Sequence, residues 1–174
     1  EFGGYYAWGE TEEKSDYTFD TYKWCNGSFD SMTKYCTRSE YGRVDNKTVL
    51  DPEDDVAHVK WGGSWRMPTL EEQKELRDEC TWELSFRKDG VNAYLVTGPN
   101  GNSITLPVAG YRRGTEFIYK DLGGLRGAYW SSSLIVREIL PECCYAYALG
   151  FHPLYMGSNR DSRCNGYSVR PVCE

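Results

Sequence analysis

Tyr129-Trp-Ser-Ser-Ser133 and Gly166-Tyr-Ser-Val-Arg-Pro-Val-Cys173 bracket the stretch on which the fold turns. Both ends carry aromatic, small and β-branched residues in short runs, the composition of strands. The interior differs. Leu134-Ile-Val-Arg-Glu-Ile-Leu-Pro-Glu-Cys-Cys-Tyr145 and His152-Pro-Leu-Tyr-Met-Gly-Ser-Asn-Arg-Asp-Ser-Arg-Cys164 follow neither a helical nor a strand period. An ordered frame around an unpatterned middle predicts rigid strands presenting a loop-borne surface, where binding residues concentrate. Between the two irregular stretches, Tyr147, Leu149 and Phe151 alternate with Ala148, Gly150 and His152. That period predicts a strand with the first set toward the core and the second facing outward.

Working outward, Trp61-Gly-Gly-Ser-Trp-Arg-Met-Pro68 is a second framework block. Thr69 with Glu72 three residues later makes a capping box, and a helix is expected over 70–80. Leu70, Gln73, Leu76 and Cys80 fall on its buried stripe. Strands are expected over 82–86, 91–97 and 103–106, the last two joined by the Gly98-Pro-Asn-Gly101 turn. Tyr5-Tyr-Ala-Trp8 and residues 166–173 read as further strands. Asp51 with Pro52 behind it resembles a helix start with acids in the first turn; the same acids are alternative calcium ligands.

The 174 residues suffice for one domain, 1–174, with a real core. With 18 Gly, 7 Pro and 14 Tyr, the chain reads as loop-rich rather than helical. The expected class is α+β: short, mostly antiparallel strands, one or two helices and long irregular loops. A net charge of −6 with no basic run argues against nucleic acid as a partner. No apolar run approaches the roughly 20 residues of a membrane span. Glu1-Phe2 matches what a common cloning site encodes, so it is either a cloning remnant or a natural start.

Seven cysteines cannot all pair within the chain. With no Cys-x-x-Cys and only 2 His, a structural zinc site is not expected. The neighbours Cys143 and Cys144 are poorly placed to bond to each other.

Gly62-Gly-Ser-Trp65-Arg-Met-Pro-Thr-x-x-Glu72, Tyr129-Trp-Ser-Ser-Ser133, Ala146-Tyr-Ala-Leu-Gly-Phe151 and Ser168-Val-Arg-Pro-Val172 together resemble the bacterial major paralogous domain (FISUMP). That family is related to the formylglycine-generating-enzyme branch of the C-type lectin fold, and the similarity runs from Tyr5 to Cys173. The irregular middle also resembles the variable region of bacterial and phage proteins diversified by retroelements, which display ligand-binding sites on a C-type lectin scaffold.

The resemblance implies a C-type lectin fold with a variable, ligand-binding part over 129–173. It implies diversified ligand-binding positions at Ile135, Val136, Arg137, Cys143, Cys144, Ala148, Gly150, His152, Leu154, Tyr155, Asn159, Asp161, Ser162, Cys164 and Tyr167. Glu138, Glu142 and Met156 depart from that pattern. It further implies a Cys80–Cys173 disulfide tying the helix end to the last strand, against the alternative of two free thiols.

The enzyme relatives use cysteine chemistry with oxygen and copper. Here Glu142, beside Cys143 and Cys144, has the wrong charge to favour a thiolate. Neither His58 nor His152 is linked to a cysteine by any motif, and no Ser-His-Asp pattern or phosphate loop is present. The Glu-Pro-Asn, Gln-Pro-Asp and Trp-Asn-Asp motifs of calcium-dependent lectins are also absent. The expectation is therefore a non-enzymatic binding module, cell-surface or secreted. It would need no metal or cofactor and would bind a protein or other cell-surface ligand. The rival is a static adhesion domain whose apolar residues at 135–136 and 154–156 pack locally.

Overall fold

A computed structural model describes residues 3–86, 92–118, 120–121, 124–136 and 143–173. Its elements are few helices and mostly antiparallel strands, an α+β arrangement. Helix α1 (Val56–Trp61) and helix α2 (Leu70–Glu79) precede the strands. β1 (Thr81–Phe86), β2 (Asn92–Thr97) and β3 (Ser103–Pro107) form one antiparallel sheet. β4 (Tyr111–Arg113) pairs with β5 (Glu116–Ile118), and β6 (Lys120–Asp121) with β7 (Gly124–Leu125). β8 (Gly127–Leu134), β9 (Tyr145–His152) and β10 (Tyr155–Ser162) make the second three-stranded sheet, with β9 central.

Local signals account for α2 and the β2–β3 turn. In α2 the Thr69 hydroxyl accepts from the Glu72 amide at 3.3 Å, and Glu72 accepts from the Thr69 amide at 2.7 Å. Between β2 and β3, the Gly98 amide donates to the Asn102 carbonyl at 2.9 Å, and Gly101, at φ +80°, donates to the Gly98 carbonyl.

The second sheet is covered on both faces. Tyr129, Leu149 and Phe151 pack with Tyr94, Val96, Leu106 and Val108 of the first sheet and its continuation. Trp130, Ala146 and Ala148 pack on the other side against Trp8, Tyr35 and Tyr167. A third cluster joins Tyr5, Tyr17, Tyr22 and Met32 to Cys25, Cys36, Cys143, Cys144 and Cys164. Much of this interior is irregular chain, so its carbonyls need partners outside regular ladders. Aromatic tips supply them. Trp8 Nε1 donates to the Ser131 carbonyl, Trp130 Nε1 to Tyr6, Tyr22 Oη to Trp8 and Tyr129 Oη to Pro107, at 2.6–2.8 Å.

Several expectations are corrected. Residues 155–162, read as irregular, form the regular strand β10, paired with β9 from Tyr155–His152 to Ser162–Tyr145. Ala148 and Gly150 are buried rather than outward, because the N-terminal segment and Tyr167 cover Ala148 and the Asn159 side chain of β10 covers Gly150. Residues 166–173 form no continuous strand. Gly166, Tyr167, Ser168 and Val172 each bridge a different segment, at Arg112, Tyr6, Tyr129 and Arg66. Tyr5 to Trp8 likewise contributes one bridge, Tyr6 to Tyr167, rather than a strand. Cys80 and Cys173 are both free. Cys80 ends α2 beside the Gly98 turn, whereas Cys173 follows the Arg66–Val172 bridge and lines a groove with Trp61 and Trp65.

Candidate functional site

Strand register sorts the suggested ligand-binding positions. In the β9–β10 hairpin, His152 pairs with Tyr155, Gly150 with Gly157, Ala148 with Asn159 and Ala146 with Asp161. Side chains of directly paired residues share a face. Ala148, Gly150, His152, Tyr155, Asn159 and Asp161 therefore lie on one face of the hairpin, although only part of it meets solvent.

At the turn end the face is open. Leu154 is 90% exposed and Tyr155 45%. The His152 and Tyr155 rings stack at 5.7 Å, Nδ1 of His152 accepts from the Leu154 amide at 3.3 Å, and Tyr155 Oη donates to Asn159 Oδ1 at 2.9 Å. Gly150 and Gly157 make this possible. A Cβ at Gly157 would collide with the Tyr155 ring, and one at Gly150 with the Asn159 amide. The two glycines form a shallow bed on which Tyr155 and Asn159 lie.

At the other end the face is closed. Trp130 stacks on Tyr167 with ring centroids 4.3 Å apart, over Ala148. Asp161 accepts from Asn165 Nδ2 at 2.7 Å and from the Tyr167 hydroxyl, and lies 3.6 Å from the Arg126 guanidinium. Burial pushes the Tyr167 hydroxyl well above its ordinary pKa, and the Asp161 charge adds to that. Asp161 and Tyr167 are thus engaged internally.

Among the remaining positions, Ile135, Cys143, Cys144 and Cys164 are buried, Ser162 is half-buried and Val136 is exposed. Arg137 lies outside the described residues. Val136 lies beside the first residue of β9, since the Ile135 amide donates to the Tyr145 carbonyl. Leu154 lies past the last residue of β9. An eight-residue strand separates them by roughly 24 Å. Among the described residues, the exposed positions therefore form two patches at opposite ends of β9, not one continuous surface.

Five of the thiols, Cys25, Cys36, Cys143, Cys144 and Cys164, are buried away from water. Burial pushes the Cys144 thiol up to about 11 and raises Cys25 and Cys164 in the same direction. Burial pushes Cys36 up to about 12, with the contact to Cys143 adding to it.

The acids that sequence assigned to a helix cap or to calcium are organised differently. Pro52 opens a short 3-10 turn, Pro52–Asp54, with Asp51 at its N-cap position but making no side-chain cap bond; Asp55 caps α1, accepting from the Ala57 and His58 amides at 2.8 and 3.1 Å. Asp51, Glu53 and Asp54 bring carboxylate oxygens within 4.8 Å of one another. Lys34 Nζ stands among them, 2.6 Å from both Asp51 and Asp54, where a cation would otherwise lie.

Two features had no sequence signal. Arg163 is fully buried. A groove of about 700 Å³ runs between α2, β3 and the C-terminal segment, lined by Trp61, Trp65, Gln73, Leu76, Leu106 and Arg170. The Gln73 Nε2 there donates to the Tyr129 carbonyl, while its Oε1 is buried without a hydrogen-bond partner. No helix among the described residues is long and apolar enough to cross a membrane. No family model, curated protein or solved structure matches the chain.

Proposed function

We propose that this chain is a non-enzymatic, protein-binding module of the C-type lectin type, displayed at a cell surface or secreted, and that its ligand docks on the tip of the β9–β10 hairpin. One observation carries the reading: Leu154 stands almost wholly in solvent beside the stacked His152–Tyr155 pair. An apolar side chain flanked by amphipathic rings on a short turn is the kind of anchor that dominates interface energy. The ladder to β9 holds the turn, which limits the entropy lost on binding. Apolar burial of Cys36 and Cys144 favours protonated thiols over reactive thiolates, which supports binding over thiol catalysis.

Diversification by a retroelement belongs to the same proposal. It requires a near-identical nucleotide repeat close to the gene, differing at adenines; a locus without one removes that part.

The docking site is tested by screening the folded chain against surface proteins, then repeating each interaction with Leu154→Ala and Tyr155→Ala. Either change should weaken binding by about 30-fold, with Tm held within about 1 °C. Ligands that ignore both substitutions would move the site elsewhere. Loss of folding in both would favour a static domain with a local apolar cluster.

A further inference from the structure

We propose that Cys36 and Cys143 are joined by a disulfide when the protein folds under oxidising conditions, fastening the chain just before β9 to the N-terminal segment. The two sulfurs are 107 positions apart in sequence and 2.9 Å apart in space. Both residues are fully buried. Two unbonded sulfurs ordinarily rest farther apart, so this contact lies on the approach to a covalent bond.

The backbones on both sides are fixed. Arg163 Nη1 donates to the Cys143 carbonyl at 2.6 Å and to the carbonyl of Tyr35, the residue before Cys36, at 3.1 Å. One guanidinium thus holds both cysteine segments. The Thr37 amide also donates to Cys143 Sγ at 3.2 Å, and Cys36 Sγ lies 3.1 Å from the Arg38 carbonyl.

The chemistry is thiol–disulfide exchange with a small-molecule disulfide such as oxidised glutathione, or with a disulfide oxidoreductase. One cysteine thiolate attacks a sulfur of the oxidant, forming a mixed disulfide and expelling one thiolate. The second cysteine thiolate attacks the protein-bound sulfur, forming the Cys36–Cys143 bond and expelling the other. Two electrons and two protons pass from the chain to the oxidant, which leaves as two thiols. Because both sulfurs are sealed in the folded chain, exchange belongs to the folding reaction. The high pKa of Cys36 likewise disfavours attack once it is buried.

The test is to refold the reduced full-length chain in a glutathione redox buffer, denature, alkylate without reduction and digest with trypsin. Five of the seven thiols, all but this pair, should take label. Peptide 35–38 should be linked to peptide 138–160, and the link should persist in Cys144→Ala, which assigns it to Cys143. Cys36→Ala should abolish it. The oxidised chain should melt roughly 10 °C above the chain in reductant, as closing so long a loop implies. Adding the same buffer to the already folded, reduced chain should form the bond far more slowly. Labelling of all seven thiols, or a bridge from Cys144, Cys164 or Cys25 with Cys36 left free, would overturn the proposal. The wild-type peptide map decides the matter even if a variant does not fold.

Discussion

Arg163 Nε donates to the Tyr22 hydroxyl at 2.9 Å while the guanidinium lies 4.9 Å from the centre of the Trp8 ring, in a fully buried setting. Its other donors reach the carbonyls of Lys34, Tyr35 and Cys143. A planar fork satisfies several carbonyls of irregular chain at once and stacks among rings, which an ammonium cannot match. Arg163→Met should cost about 3–5 kcal/mol, because it strands those carbonyls away from water. Arg163→Lys should recover less than half of that. Urea denaturation measures both; a loss under about 1 kcal/mol for each would show the arginine to be dispensable.

Asp55 separates a structural carboxylate from its acidic neighbours. Besides capping α1, its Oδ2 accepts from the buried Met67 amide at 2.8 Å. Asp55→Ala should cost about 3 kcal/mol, since a cap and a buried amide lose their acceptor together. Asp51 bridges Lys34 and Lys47 near the surface, and Lys34 keeps Asp54 if Asp51 is removed. Asp51→Ala should cost less than about 1 kcal/mol. Equal losses in denaturation midpoint would return the cap to Asp51.

These two carboxylates show where sequence stops being informative. Asp51, Glu53, Asp54 and Asp55 all satisfy the compositional rule for a helix start, and only the path of the chain selects Asp55. The α2 capping box and the β2–β3 turn were legible because their partners lie within a few residues. The face of β9 was half legible: a period of two says that the faces differ, not that Trp130 and Tyr167 cover the alanine side. Arg163 was illegible because arginine is ordinarily exposed and most of its partners, Tyr22, Lys34 and Tyr35, lie more than 120 residues earlier. The Cys36–Cys143 contact was illegible for the same reason. The Cys80–Cys173 expectation came from a family pattern, and the paths of the two ends do not meet it.

Glu72 gives a pH dependence with a defined sign. The Arg66 guanidinium donates to both of its carboxylate oxygens at 2.8 Å, and with the Thr69 amide holds its carboxyl at about 2, down from 4.5. A depressed carboxyl pKa contributes stability above the unfolded value and loses it as pH falls through the folded one. The contribution should therefore be complete above about pH 5 and gone near pH 2. The pair is about one-third exposed, so after screening it amounts to about 1–2 kcal/mol. Glu72→Gln should be less stable than wild type by that amount at pH 6 and nearly equal to it at pH 2. A difference that does not change with pH would assign the effect to the capping geometry alone.

Gly127 and Gly157 lie on opposite faces of the same sheet and should respond differently to one added methyl. At Gly127 a Cβ would strike the Phe151 ring, which is buried and stacked on Tyr129. That ring has no free space to enter, so Gly127→Ala should cost about 1–3 kcal/mol through overpacking. At Gly157 the obstacle is the hydroxyl end of Tyr155, a side chain already 45% exposed. Tyr155 can swing outward, giving up its bond to Asn159 and its stacking on His152, at a cost below about 1 kcal/mol. Gly157→Ala should therefore leave the denaturation midpoint nearly unchanged while displacing the aromatic anchor of the proposed docking site. Its effect on ligand affinity should approach that of Tyr155→Ala. A large stability loss at Gly157, or full affinity with Tyr155 displaced, would show that the tip is packed as core or that the ring takes no part in binding.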